Sequence, residues 1–129
     1  MKKIIVTDNA PAAIGPYSQA IVVDGMIFTS GQLPINPYTG VMPVDVEGQA
    51  EQSMKNLLSI LMEAGIDEKN IVKTTIYIKN MEDFQKINAV YEKFFTEGYP
   101  SRTCVEVARL PKDALIEIEA IAYLNKSNS

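Results

Sequence analysis

Two arginines, one cysteine and one strand-borne glutamate are the residues of this chain whose types best suit chemistry. Arg102 and Arg109 are the only arginines, against ten lysines. Arg102 follows Tyr99-Pro100-Ser101 at the start of a β-branched run, where a planar guanidinium can offer a carboxylate a bidentate fork. A salt bridge to a neighbouring glutamate accounts for it equally well. With a period of two, Arg102 shares a strand face with Cys104, Glu106 and Ala108, while Arg109 falls on the other face as an end-of-strand charge with its stem along apolar surface. Cys104 is the single cysteine. It is either a small hydrophobe or a nucleophile, and no histidine exists in the chain to activate it. Glu117 stands among apolar strand neighbours. Partial burial would raise its pKa and suit it to general acid or base work, whereas exposure would leave an ordinary carboxylate.

The residue types that are missing exclude more. With no histidine and one cysteine in 129 residues, one chain cannot build a serine-histidine-acid triad, a cysteine-histidine dyad, a His/Cys zinc site or an internal disulfide. Twelve Lys and Arg against sixteen Asp and Glu leave a net charge of −4, the wrong sign for generic binding to a phosphate backbone, so no nucleic-acid partner is expected. The phosphate-cradling Gly-x-x-x-x-Gly-Lys-[Ser/Thr] loop does not occur. Only three apolar residues, Ile4 to Val6, precede the return of polar ones, too few for a signal peptide. No run approaches the roughly 18 apolar residues of a membrane span. The expectation is a cytoplasmic protein with no membrane partner.

The elements that must position these residues follow from periodicity. Lys3 to Thr7, Ser18 to Asp24 and Met26 to Ser30 read as strands, the last two forming a hairpin around Asp24-Gly25, a dipeptide that accepts positive φ. From Gly48 to Ala64 the residues Ala50, Met54, Leu57, Leu58, Leu61 and Ala64 recur at spacings of three and four, one face of an amphipathic helix that Gly65 closes. Ile71 to Lys79 is a strand with Val72, Thr74, Ile76 and Ile78 on one face and Ile71, Lys73, Thr75 and Tyr77 on the other. Phe84, Ile87, Val90, Tyr91, Phe94 and Phe95 mark a second helix up to Gly98. Arg102 to Arg109 and Leu115 to Leu124 are final strands, expected to close as a hairpin through the Leu110-Pro111-Lys112-Asp113-Ala114 turn.

The order β-β-β-α-β-α-β-β in one domain, residues 1–129 with a short Asn125 to Ser129 tail, predicts an α+β fold in which two helices cover one side of a mixed sheet. The other side, with Ile121 and Tyr123 beside Glu117 and Glu119, and with Ile71, Thr75 and Tyr77, is too apolar for water. A homo-oligomer with sheets facing inward is expected. The connection opening with Gly31 to Gly40 is long for a compact domain, as functional loops often are, and Gly15-Pro16-Tyr17-Ser18 sets a phenol just before a strand.

These same residues carry a resemblance. Ala13-Ile14-Gly15-Pro16-Tyr17-Ser18-Gln19-Ala20, Ser30-Gly31-Gln32-Leu33-Pro34 and the run Pro100 to Pro111 through Ile116-Glu117-Ile118-Glu119 closely resemble the RidA family, also called the YjgF family, from about Thr7 to Tyr123. The arginine-bearing run is similar to the reactive intermediate deaminase subgroup, with Thr103 in place of the usual small residue after the arginine. The resemblance implies a chorismate-mutase-like fold, a homotrimer with a central barrel, and three clefts between subunits. It implies hydrolysis of 2-iminobutanoate and 2-iminopropanoate, released by pyridoxal-phosphate-dependent dehydratases, to 2-oxo acids and ammonia. Arg102 would clamp the substrate carboxylate, backbone groups at Cys104 would position imine and water, and Glu117 would help to activate that water. Tyr17, Ser30 and Asn88 match positions lining the pocket. A protonated imine is already electrophilic, so neither metal nor cofactor is called for. The competing readings are a non-catalytic trimeric binder of small carboxylic metabolites, and a ribonuclease or holdase chaperone. The missing histidine and acidic charge weigh against the ribonuclease.

Overall fold

The computed structural model describes residues 1–125; the rest of the expected tail lies outside them. Three short strands come first: β1 (Lys3–Ile5), β2 (Ala20–Val23) and β3 (Met26–Thr29). The β2–β3 turn is the expected hairpin, with Val23 opposite Met26 and left-handed Asp24 and Gly25 at φ 49° and 74°. Positive φ at both positions matches the twist of the flanking strands. Helix α1 (Val46–Glu63) follows, then β4 (Ile71–Ile78), α2 (Phe84–Tyr91), β5 (Ser101–Glu106) and β6 (Ile116–Tyr123). Gly65, at φ 81°, ends α1 as expected, its N–H donating to the Met62 carbonyl at 3.0 Å.

The six strands form one mixed sheet in the order β1-β2-β3-β6-β4-β5, antiparallel except for the β4–β5 pair. Both helices cover one face. Ile76, Ile78, Ile116 and Ile118 of the sheet meet Met54, Leu57, Ile60 and Leu61 of α1 and Ile87 of α2, all at 1 % exposure or less. Each such side chain contributes about 1.5–3 kcal/mol by leaving water. Among the described residues no helix is long and apolar enough to cross a membrane.

The expected closing hairpin does not form. β5 lies parallel to β4 at the sheet edge, with Arg102 beside Thr74 and Cys104 beside Ile76, and β6 inserts between β3 and β4. Parallel neighbours need a crossover, and α2 supplies it while packing on the core. Ile116, Ile118, Ala120 and Ala122 of β6 are all buried, as a central strand requires, whereas Thr103, Val105 and Glu106 of β5 are exposed, as an edge permits.

Three smaller expectations also change. A register shift between Ile71 and Lys73 buries Ile71 and turns Val72, at 44 % exposure, out of the core, reversing the parity expected there. One extra residue on a strand flips its faces. The second helix is shorter, passing into a 3-10 turn at Glu92–Phe94. β5 stops at Glu106, so Arg109 leaves the sheet and pairs with Asp113 instead of ending a strand.

The uncovered face carries Phe28, Tyr77, Val105, Ile121 and Tyr123, of which Phe28, Val105 and Tyr123 are exposed.

Candidate functional site

Arg102 sits on the helix side of edge strand β5, and α2 holds it. Its terminal nitrogen donates to Asn88 Oδ1 at 2.7 Å. Its guanidinium carbon lies 5.4 Å from the centre of the Phe84 ring and 5.2 Å from that of Tyr91, distances at which a ring face attracts a cation. Phe84, Asn88 and Tyr91 stand at i, i+4 and i+7, one stripe of the helix. Tyr91 is itself fixed by a buried 2.7 Å hydrogen bond between its hydroxyl and that of Thr74, one strand in from Arg102. No salt bridge to Arg102 occurs among the described residues. The charge therefore keeps donors for a ligand, in a cavity of about 520 Å³ shared with Asn88, Tyr91, Glu92, Tyr99 and Pro100.

Cys104, two residues on, is half-buried on the same side. Burial pushes its thiol pKa up, and the nearby Arg102 charge offsets only part of that. A thiolate is thus disfavoured, so the side chain is a poor nucleophile.

Glu117 lies on the other face. It sits opposite Tyr77, which sits beside Val105, one step out of phase with the Thr74–Arg102 and Ile76–Cys104 rows. Alternation along strands therefore puts Glu117 on the bare side. It is half-buried, and burial, followed by the neighbouring charge of Glu119, pushes its pKa above the usual carboxylate value. A Cβ on Gly31 would stand 2.7 Å from Glu117 Cδ and 2.9 Å from Oε1. Gly31 leaves the space that the carboxylate occupies.

The wall around Glu117 is the long connection singled out in the sequence. Gln32 bridges to Ile118 of β6, and Asn56 of α1, 1 % exposed, donates to the carbonyls of Leu33 and Ile35 at 3.0 and 2.9 Å. A loop so anchored is a wall, not a free segment. It bounds a cavity of about 660 Å³ with Glu117, Tyr17, Ile14, Pro111 and Lys112 among its lining. Tyr17 is 51 % exposed, and its hydroxyl accepts from the Ile14 N–H at 3.4 Å. Ser30 donates its hydroxyl to the Ser18 carbonyl at 2.6 Å, which ties the segment before β2 to the end of β3.

The structure thus brings Arg102, Cys104 and Asn88 together, and brings Tyr17 and Glu117 together with Ser30 nearby, but on opposite faces of one sheet. The roles of Phe84 and Tyr91 were not read from the sequence, where both counted only as apolar helix residues; their i, i+7 spacing with a polar Asn88 between was the available signal. Gly31 likewise stood in the sequence only as a loop and motif residue, with no sign that it makes room for Glu117. No group of three or more acidic or cysteine side chains suited to a metal occurs among the described residues.

A mixed sheet covered on one face by two helices, with a held guanidinium on one side and a half-buried carboxylate on the other, defines an α+β domain. The chain belongs to the family described as Endoribonuclease L-PSP, whose model matches residues 7–124, and the resemblance to Rid proteins holds. It is 57 % identical over 125 residues to the 2-iminobutanoate/2-iminopropanoate deaminase of Escherichia coli, covering 95 % of this chain and 98 % of that one. The deaminase of the same name from Salmonella typhimurium is 54 % identical at the same coverage. A crystal structure of Escherichia coli TdcF with bound serine matches with a TM-score of 0.92 at 50 % identity, over 95 % of this chain and 99 % of that one.

Proposed function

We propose that this chain is a 2-iminobutanoate/2-iminopropanoate deaminase, hydrolysing 2-imino acids to 2-oxo acids and ammonia. The observation that carries the reading is a guanidinium pre-set without an ion-pair partner among the described residues, in a chain whose near relatives bear that name. The substrate carboxylate docks on Arg102, whose Asn88 bond and ring contacts lower the cost of ordering it. Water adds to C2 of the protonated imine and gives its proton to Glu117. Glu117 returns that proton to the nitrogen of the carbinolamine so formed, and as ammonia leaves the carboxylate takes the hydroxyl proton, which gives the carbonyl. Glu117 suits this exchange because burial raises its pKa above the usual carboxylate value, which makes it a better base for the water proton. Cys104 contributes through its backbone, which lies on an edge strand with a neighbour on one side only.

Arg102 and Glu117 cannot meet within one protomer, so the working site joins the Arg102 face of one copy to the Glu117 cavity of the next. Two different surfaces meeting head to tail form a ring where the rotation between copies closes, and an open filament where it does not. We take that ring as a homotrimer with a chorismate-mutase-like protomer, the bare faces lining a central barrel that buries Phe28, Val105 and Tyr123. The partner is then a small 2-imino acid, in a cytoplasmic enzyme.

The bound serine in TdcF favours a second reading, a trimer that binds small carboxylic metabolites without turnover. The two separate in one assay: the protein is added to a threonine dehydratase reaction and 2-oxobutanoate release is followed. Acceleration beyond spontaneous hydrolysis is expected, and none leaves only the binder.

A further inference from the structure

Lys112 and Asp113 follow Pro111 with φ of 57° and 55°. Two consecutive left-handed residues, neither a glycine, crowd their side chains against the backbone and persist only where something holds them. Here Arg109 donates Nε to Asp113 Oδ1 at 2.7 Å and a terminal nitrogen to Oδ2 at 3.2 Å. Buried Leu110 and Ala114 anchor the two ends of the turn. The effect is to make Pro111 and Lys112 part of the wall of the Glu117 cavity. Among the described residues lining it, Lys112 has the only positive charge and Glu117 the only negative one. Burial disfavours the charge on Glu117, so that carboxyl repels an anion less than a free glutamate would. The chain as a whole is acidic, with a net charge of −4, so attraction for a second anionic group must come from a local cation. The cavity, at about 660 Å³, has room beyond a four-carbon substrate.

We propose that Lys112 is a specificity residue of this cavity: it binds a second, terminal carboxylate, so that the site prefers dicarboxylic 2-imino acids and their 2-oxo products to aliphatic ones of equal length. The preference rests on the deaminase reading where imines are concerned, and on the cavity alone for 2-oxo acids. Calorimetric titration of the intact protein with 2-oxoglutarate and 2-oxopentanoate, which differ in a terminal carboxylate against a methyl, reads it directly. Wild type is expected to bind 2-oxoglutarate about fivefold more tightly, the size one partly exposed charge pair supports. In Lys112→Gln that ratio falls to about one, and Lys112→Arg keeps it. Lys112→Gly also brings it to about one while raising the melting temperature, because glycine adopts positive φ without strain. Equal affinities in wild type, or a preference that survives both Lys112→Gln and Lys112→Gly, would overturn the proposal. Turnover of the imine derived from threonine is measured in parallel. No turnover with the preference intact defeats the deaminase reading alone, and turnover without the preference defeats this one alone.

Discussion

On the helix face Arg102 arrives with its surroundings already in place: an amide oxygen at 2.7 Å, two aromatic rings, and a tyrosine hydroxyl locked to the next strand. On the bare face Glu117 has no hydrogen bond to its carboxylate among the described residues, only burial, the nearby Glu119 charge and a glycine that makes room for it. A guanidinium that must hold a ligand gains from being fixed in advance. A carboxylate that must exchange protons gains from an environment that disfavours its charge. In the proposed mechanism one face is the anchor and the other the titrating group, and each half lacks what the other supplies.

The largest expected effect breaks the anchor. Arg102→Lys keeps the charge but loses the planar fork, and should lower kcat/KM for 2-iminobutanoate by about 100-fold, the scale of a desolvated charge pair left imperfectly made. A loss under threefold in steady-state assays would show that Arg102 does not clamp the carboxylate. Next comes Gly31→Ala, which forces Glu117 out of its place. We expect kcat to fall about tenfold, the lower end of what a positioned acid or base contributes, with KM little changed. A change in KM alone would place Gly31 with binding rather than proton transfer.

The smallest effect sharpens the contrast through stability. The folded-state pKa of Glu117 is raised above its unfolded value. The fold therefore favours the neutral form, and ionisation above the unfolded pKa costs stability. Glu117→Gln should raise the melting temperature at pH 7 by about 2 °C, a gain that disappears as pH falls through the ordinary carboxylate range. A melting temperature lowered at pH 7 would mean the ionised carboxylate stabilises the fold. In wild type the same direction puts the acid limb of kcat above the pH at which a free glutamate titrates.

Much of this contrast was legible in the sequence. Arg102 and Glu117 stood out because each residue type was unusual in its strand, and the β2–β3 hairpin followed from Asp24-Gly25. What was not legible was non-local. Alternation within a strand is a local property, but whether β5 pairs with β6 or with β4 depends on a crossover fixed by packing. The mistaken hairpin therefore hid the fact that Arg102 and Glu117 face opposite ways. The one-residue shift at Ile71 is likewise invisible to a period-two reading. Phe84 and Tyr91 looked like core residues because the sequence does not show that a guanidinium would lie against that stripe.

The division of the site between copies is tested most directly by mixing. Arg102→Ala and Glu117→Ala variants, each inactive alone, are unfolded together, refolded as mixed oligomers and assayed for imine hydrolysis. Recovery to about a quarter of wild-type activity is expected, the fraction of head-to-tail interfaces in which random mixing sets an intact Arg102 against an intact Glu117. Mixed oligomers as inactive as the two parents would contradict a site shared between subunits.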